Sequence, residues 1–215
     1  MEILTKDNKS KIDLANWKRK DHYNFFRKFD QPFFGISTEL NCTLAYQYCK
    51  TYHTNFFMFY LYKAHLAVNH IPEFRYRIED NEVFEYHQVS GSVTVLRKDE
   101  TFGFAYFDHR RDFSDFMPAT RNSIELEKNS SGLDPKAGSN GVIHYSVLPL
   151  IKFSGMQHAQ ILGTKDSVPK IAFGKLDFRD GQVFLPLSIH VHHALCDGLH
   201  LSRFIEYFQK QLELN

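Results

Sequence analysis

The sequence predicts an α/β fold: a two-layer sandwich in which helices cover a largely antiparallel, mixed sheet. Three observations lead there. Strand-like and helix-like stretches are interleaved along the chain rather than grouped. Two pairs of strand-like runs are separated only by short turn-forming segments, Glu79 to Glu82 and Asp177 to Gly181, as antiparallel neighbours require. The last strand runs through Asp197-Gly198 into a stretch where Leu201, Phe204, Ile205, Phe208 and Leu212 recur at helical spacing.

The elements follow in order. Behind the charged run Lys18 to His22, the aromatics Tyr23, Phe25, Phe26 and Phe29 suggest a short helix, with Asn16 as its cap. Phe33 to Leu40 reads as a strand and Leu44 to Lys50 as part of a helix. Phe56 to Asn69 is a strong helix pattern ended before Pro72; it is short, and Lys63 and His65 make it a buried helix rather than a membrane span. Phe74 to Ile78 and Val83 to Tyr86 alternate as a hairpin, and Gly91 to Leu96 and Phe102 to Phe107 are further strands. Asp112 to Lys128 is helical, with Pro118 a point of kinking. Asn129 to Gly141, rich in Ser, Gly and Asn, is a loop. Val142 to Leu148 is a strand ended by Pro149, and Ile171 to Lys175 and Val183 to His193 form the last strand pair. The 215 residues suit one domain spanning 1–215.

Composition narrows the function. A net charge of +1 with balanced signs gives no electrostatic case for nucleic acid or membrane partners. Twenty-one Phe and eleven Tyr imply a large core and some aromatic-lined surface. The three cysteines are Cys42, Cys49 and Cys196; an odd number, with no apolar signal core behind Met1, points to reduced thiols in the cytoplasm.

The chemistry concentrates between Ser188 and Gly198. Alternation puts Val183, Leu185, Leu187, Ile189, Val191 and His193 on one face of the strand, and Phe184, Pro186, Ser188, His190 and His192 on the other. His193 thus ends an apolar row. Apolar surroundings favour a neutral imidazole, and a neutral imidazole is a general base. The same pattern also fits a core histidine that is merely hydrogen-bonded. A metal site at His190, His192, His193 and His200 is disfavoured, since no C-x-x-C or H-E-x-x-H pattern accompanies them. Asp197 fits a simple turn residue.

These residues resemble the chloramphenicol acetyltransferase family, over nearly the whole chain. The most specific piece is His192-His193 with Asp197-Gly198 and His200; Asn16 to Arg19 resembles an N-terminal motif, and Phe74 to Ile78 and Ser146 to Pro149 fall in the expected order. The His-x-x-x-Asp-Gly pattern also occurs in dihydrolipoyl acyltransferase cores and other acyl-CoA-dependent acyltransferases. The resemblance implies a CoA-dependent acyltransferase fold and a compact homotrimer with an active site at each subunit interface. Acetyl-CoA enters one end of a tunnel and a hydroxyl acceptor, chloramphenicol or a similar small molecule, the other; antibiotic resistance is the implied role, and no metal takes part. His193 is then the general base, and the Ser146 hydroxyl stabilises the oxyanion. Asp197 is a structural partner of Arg19 rather than the acid of a triad. Lys175 lies near the CoA phosphates. Phe25, Phe26, Phe102, Phe104 and His158 fall on the acceptor pocket.

Departures from the family pattern gather in that pocket. Phe26 stands where tyrosine is frequent, Phe104 where a small residue is usual, His158 and Lys170 where the wall is apolar, and Leu150 where tryptophan is common. They bear on acceptor choice more than on chemistry. Two rival functions remain. A dihydrolipoyl acyltransferase core acts on a thiol acceptor and usually follows lipoyl and linker segments, for which little chain precedes Trp17. A non-catalytic trimeric ligand-binding protein of the same fold has no need of His193, Ser146 and Asp197 together.

Overall fold

The computed structural model describes residues 8–133, 140–160 and 166–213. Its strands are β1 (Lys9–Lys11), β2 (Phe33–Asn41), β3 (Tyr76–Glu79), β4 (Glu82–Tyr86), β5 (Ser90–Leu96), β6 (Phe102–Phe107), β7 (Val142–Val147), β8 (Lys170–Phe173), β9 (Asp177–Arg179) and β10 (Gln182–His192). Its helices are α1 (Lys20–Phe26), α2 (Thr43–Thr51), α3 (Phe56–His70), α4 (Phe113–Lys128) and α5 (Gly198–Glu213).

The main sheet has the order β2-β10-β8-β7-β5-β6, with β9 pairing the start of β10. Pairing is antiparallel except for β7 with β8 and β5 with β7, which are parallel. The sheet is therefore mixed and mainly antiparallel, as expected. A small second sheet has the order β1-β4-β3. Its hairpin turns at Asp80 and Asn81, both at positive φ, the geometry that matches the twist of a two-residue loop.

β10 organises the molecule. Its apolar row, Leu185, Leu187, Ile189 and Val191, is fully buried against the helices, and its other face is buried too. Pro186 is tolerated in this central strand for a local reason. Its carbonyl accepts from the Gly174 N–H (3.0 Å) on the β8 side. Its missing N–H therefore falls in the gap between β8 and β9, where no ladder bond is lost. On the helix side, Tyr60 of α3 and Phe208 of α5 meet Phe173, and Phe116 of α4 meets Phe107. α3 is started by Asn55, whose side chain accepts from Met58 N (3.0 Å).

Several local expectations need correction. Asn16 does not cap a helix: it closes a turn with Asp13 (2.7 Å), and α1 begins at Lys20. Phe74 and Arg75 lie in a 3-10 turn, Pro72–Arg75, and the strand starts at Tyr76. Arg77 leaves solvent entirely, because its guanidinium reaches the carbonyls of Phe74, Tyr76, Asn140 and Val142 and ties β3 to the β7 strand. Asp177 to Gly181 is not only a connector, since β9 pairs with β10 there. The helix expected over Asp112 to Lys128 is present as α4, with Pro118 inside it. Part of the expected loop Asn129 to Gly141 lies outside the described residues.

Candidate active site

His193 sits one residue beyond the end of β10, held at both ends of its own backbone. Its N–H donates to the Pro32 carbonyl (2.9 Å), and its carbonyl accepts from Arg19 Nη2 (3.3 Å). The turn that follows is closed by the Leu195 and Cys196 N–H groups on the His192 carbonyl (2.9 and 3.0 Å). The imidazole stacks on Phe26 of α1 (centroids 3.9 Å apart, 10° between planes) and leans on Phe34 of β2 (4.3 Å). Phe34 pairs with Val191, so the ring continues the apolar row the alternation assigned to it. Nδ1 lies 3.1 Å from the Cys196 carbonyl. A carbonyl only accepts, so Nδ1 carries the proton and Nε2 is left with a free lone pair.

Asp197 turns away from the imidazole. One carboxylate oxygen takes the Arg19 guanidinium and the other accepts from Leu199 N–H (3.1 Å), beside His200 Nδ1 (3.0 Å). Burial pushes the Asp197 carboxyl up, but the Arg19 hydrogen bond and the His200 and Arg19 charges outweigh it and hold it below its ordinary value. His200 Nε2 in turn meets Glu73 (3.3 Å), and Cys196 Sγ donates to the Glu73 carbonyl (3.2 Å). The turn after His193 is thus braced from α1, from α5 and from the 3-10 turn. Glu73 was not singled out by sequence, and His200 entered only as part of the terminal motif and of the disfavoured metal set, not as a brace.

The other expected site residues fall into two groups. Phe25 and Phe26 pack edge to face at the end of α1 (5.0 Å), close to His193. Ser146, by contrast, lies on β7 opposite Ala172, which lies opposite Ser188. It is two strands from β10 and five residues back from His193, roughly 19 Å between Cα atoms. It also faces the side of the sheet away from the helices, since its neighbour Tyr145 is buried in the core. Phe102 and Phe104 of β6 pack on each other (5.6 Å), and Phe104 shares the Ser146 face. His158 packs edge-on against His190 (4.9 Å). Lys170 is held by Asp166 and the Val168 carbonyl and lies over the Phe33 ring. Lys175 is exposed in the loop after β8.

Sequence reading missed how many imidazoles share that face. His144 bonds Ser92 (2.8 Å) and stands beside Lys170, which stands beside His190. Burial drives His144 down to about 4, and the Lys170 charge adds to it. His158 falls to about 4 by burial and its His190 neighbour, and burial lowers His192 to about 4. The signal was present in the alternation: His144 and Ser146 share a face of β7, as His190 and His192 do on β10. Among the described residues, no group of three or more His, Cys, Asp or Glu side chains converges as a metal would require.

The sequence profile of the chloramphenicol acetyltransferases matches residues 7–209. The chain belongs to the chloramphenicol acetyltransferase family. It is an acyltransferase accordingly. It is 32% identical to chloramphenicol acetyltransferase 2 of Haemophilus influenzae over 94% of this chain and 96% of the relative. It is 28% identical to chloramphenicol acetyltransferase 3 of Escherichia coli, again over 94% of this chain and 96% of the relative. A solved chloramphenicol acetyltransferase superposes with a TM-score of 0.87 at 32% identity, covering 95% of this chain and 99% of that one. A probable dihydrolipoamide acetyltransferase from Listeria monocytogenes shares the fold (TM-score 0.62, 13% identity, covering 90% of this chain and 88% of that one). The acetyltransferase family chain contains no helix, among its described residues, long and apolar enough to cross a membrane.

Proposed function

We propose that the protein transfers the acetyl group of acetyl-CoA to a hydroxyl of chloramphenicol or a similar small molecule, with His193 as the general base. The observation that carries this is the His193 ring. Its proton is committed to the Cys196 carbonyl, its lone pair at Nε2 is free, and its aim is fixed by Phe26, Phe34 and the Arg19–Asp197 pair.

Nε2 takes the acceptor hydroxyl proton as that oxygen bonds to the thioester carbonyl carbon. The carbonyl electron pair moves onto oxygen, where the Ser146 hydroxyl donates to it; one such donor is worth about 10²–10³ in turnover. Collapse breaks the carbon–sulfur bond, the proton passes from His193 to sulfur, and CoA leaves as its thiol. A thioester is already a good acyl donor, so positioning and one base suffice.

His193 and Ser146 are too far apart in one chain to act on one carbonyl. Shared sites between copies reconcile them, with the Ser146 face of one sheet meeting the His193 turn of another; a homotrimer closes such a contact. In this arrangement Phe25, Phe26, Phe102, Phe104 and His158 form the acceptor walls, and exposed Lys175 is open to the CoA phosphates. Residues 1–215 act as one acetyltransferase domain. Three buried, unpaired thiols and a need for acetyl-CoA support a cytoplasmic setting, where chloramphenicol resistance would be its role.

The test follows thiol release from acetyl-CoA with chloramphenicol and a panel of alcohols, amines and dihydrolipoamide. Release dependent on a hydroxyl acceptor is expected, falling about 10²–10⁴-fold in His193→Ala. Preference for the dithiol would favour the dihydrolipoyl class. No acceptor-dependent release at all would favour a ligand-binding protein.

A further inference from the structure

Behind the His193 turn lies a buried carboxylate–imidazole pair that the Arg19–Asp197 contact does not involve. Glu73 belongs to the 3-10 turn Pro72–Arg75 and His200 to the first turn of α5. Their neighbours lock the two elements together. Phe74, next to Glu73, stacks on Phe204, one helical turn after His200 (centroids 4.7 Å apart, 17° between planes), and both rings are fully buried. Cys196 Sγ adds a hydrogen bond to the Glu73 carbonyl (3.2 Å). The His200 side chain is only 7% exposed and that of Glu73 16%, so the two groups face each other almost out of water.

Hydrogen-bond partners fix the His200 tautomer. The Asp197 N–H donates to His200 Nδ1 (3.0 Å). A peptide N–H only donates, so Nδ1 holds a lone pair and the ring proton sits on Nε2, facing Glu73 Oε1 (3.3 Å). Asp197 Oδ1 stands equally close to Nδ1 (3.0 Å), but it already accepts from the Leu199 N–H, and a proton on Nδ1 would be driven against the Asp197 N–H. Burial pushes the Glu73 carboxyl up; hydrogen bonds from His200 and from its own N–H, with the Arg203 charge, outweigh that and hold it below its ordinary value. Arg19, Arg77 and Asp197 are the other charges around Cys196, and Tyr76 is a further titratable neighbour of Glu73.

The N–H that His200 takes and the carbonyl that His193 uses belong to one peptide unit. The Cys196–Asp197 amide donates to His200 at one end and, at the other, accepts from His193 Nδ1 (3.1 Å). The order is His193 ring, peptide, His200 ring, Glu73 carboxylate, and in every link the donor lies on the His193 side. Links aligned head to tail polarise one another. The amide is conjugated, so drawing on its N–H places more negative charge on its oxygen.

We propose that Glu73 and His200 are positioning residues for the transfer: through the Cys196–Asp197 peptide they hold the His193 Nδ1 proton in place and support the positive ring formed when Nε2 takes the acceptor proton. This rests on the reading of His193 as the base. No proton travels along the chain. Each link keeps its hydrogen, and the proton gained at Nε2 leaves on the CoA sulfur, which returns the ring to neutral. Asp197 takes part through its backbone, so this role is separate from that of its carboxylate with Arg19.

The test uses Glu73→Gln, His200→Asn and the double variant, each checked for folding by thermal unfolding. Glu73→Gln keeps shape and an acceptor but removes the charge. His200→Asn still offers an oxygen to the Asp197 N–H, and its shorter side chain gives up Glu73. With chloramphenicol as acceptor, kcat should fall about 3–10-fold in either single variant while KM for both substrates holds. The acid limb of the kcat/KM profile should move down by about half a pH unit, because a less supported imidazolium releases its proton more readily. The double variant should be no worse than the poorer single one, since both cut the same chain. Titration of the His193 ring by nitrogen NMR, assigned by the signal missing in His193→Ala, reads the same shift with no substrate present. An unmoved His193 titration in both single variants overturns the proposal, whatever kcat does, and so do losses that multiply in the double variant. A shifted titration in a protein that does not turn over chloramphenicol upholds the link to His193 and removes the acetyl-transfer reading instead.

Discussion

At the scale of single residues, the site separates aiming from reacting. His193 holds the lone pair, and Asp197, only four positions on, spends both carboxylate oxygens elsewhere. A sequence pattern gives no direction for that carboxylate, which is why a catalytic acid and a brace look alike until the Arg19 contact is seen. The family resemblance supplied the distinction; spacing alone did not. Asp197→Asn keeps an acceptor for the Leu199 N–H but strands the largely buried Arg19 guanidinium (side chain 11% exposed). Because Asp197 keeps solvent contact, the expected loss is about 1–3 kcal/mol, below the fully buried-pair figure. Urea unfolding measures that. A positioning role adds a second signature: kcat should fall while KM for acetyl-CoA holds, and Arg19→Lys, which keeps the charge but loses the reach to the His193 carbonyl, should copy it. Unchanged kcat in a destabilised Asp197→Asn would reduce the pair to a structural one.

At the scale of elements, the strands and helices with long apolar periodicity were legible: β10 and α3 could be read from alternation and spacing to within a residue or two, and α5 from the spacing of its apolar residues. β1 and β9, three residues each, were not, because they exist only through pairing with distant strands. Nor was the 3-10 turn at Pro72, whose alternating Phe74 and Arg75 imitate a strand. Packing between α3 and the sheet also hides a polar element. His65 is buried between Tyr145 (3.0 Å) and Asn69 (3.2 Å), and burial, with His109 nearby, lowers it to about 3. The unfolded chain takes up a proton near pH 6.5, and the folded chain refuses it until about pH 3. Stability is therefore full above the unfolded value and falls as the pH drops from about 6.5 toward 3. His65 alone should cost about 2 kcal/mol between pH 7.5 and 5.0. His144, His158 and His192 act in the same direction. Urea unfolding at the two pH values checks this, and His65→Gln should remove its share of the difference; an equal pH response in that variant would shift the cause to other groups.

At the scale of the whole molecule, the separation of His193 from Ser146 bears on the proposed assembly. They lie on opposite sides of one sheet, and on the proposed mechanism that distance divides the site between two copies. Both residues could be named from the sequence, but no pattern in one chain shows how far apart the fold sets them. Mixing two inactive variants tests the assembly directly. A His193→Ala copy still offers Ser146, and a Ser146→Ala copy still offers His193. Where sites form between copies of a cyclic trimer, each trimer that contains both variants regenerates one intact site. Random co-assembly of equal amounts should then restore about a quarter of wild-type activity. Either variant alone should keep only about a hundredth or less. Co-expression, with separately tagged copies to isolate mixed assemblies, gives the measurement. If mixed trimers stay at the level of the single variants, His193 and Ser146 do not meet across an interface. Recovery near a third in the isolated mixed trimers would instead mean that the acetyl group is transferred between two chains, with the polar face of one sheet holding the acceptor for the histidine of its neighbour.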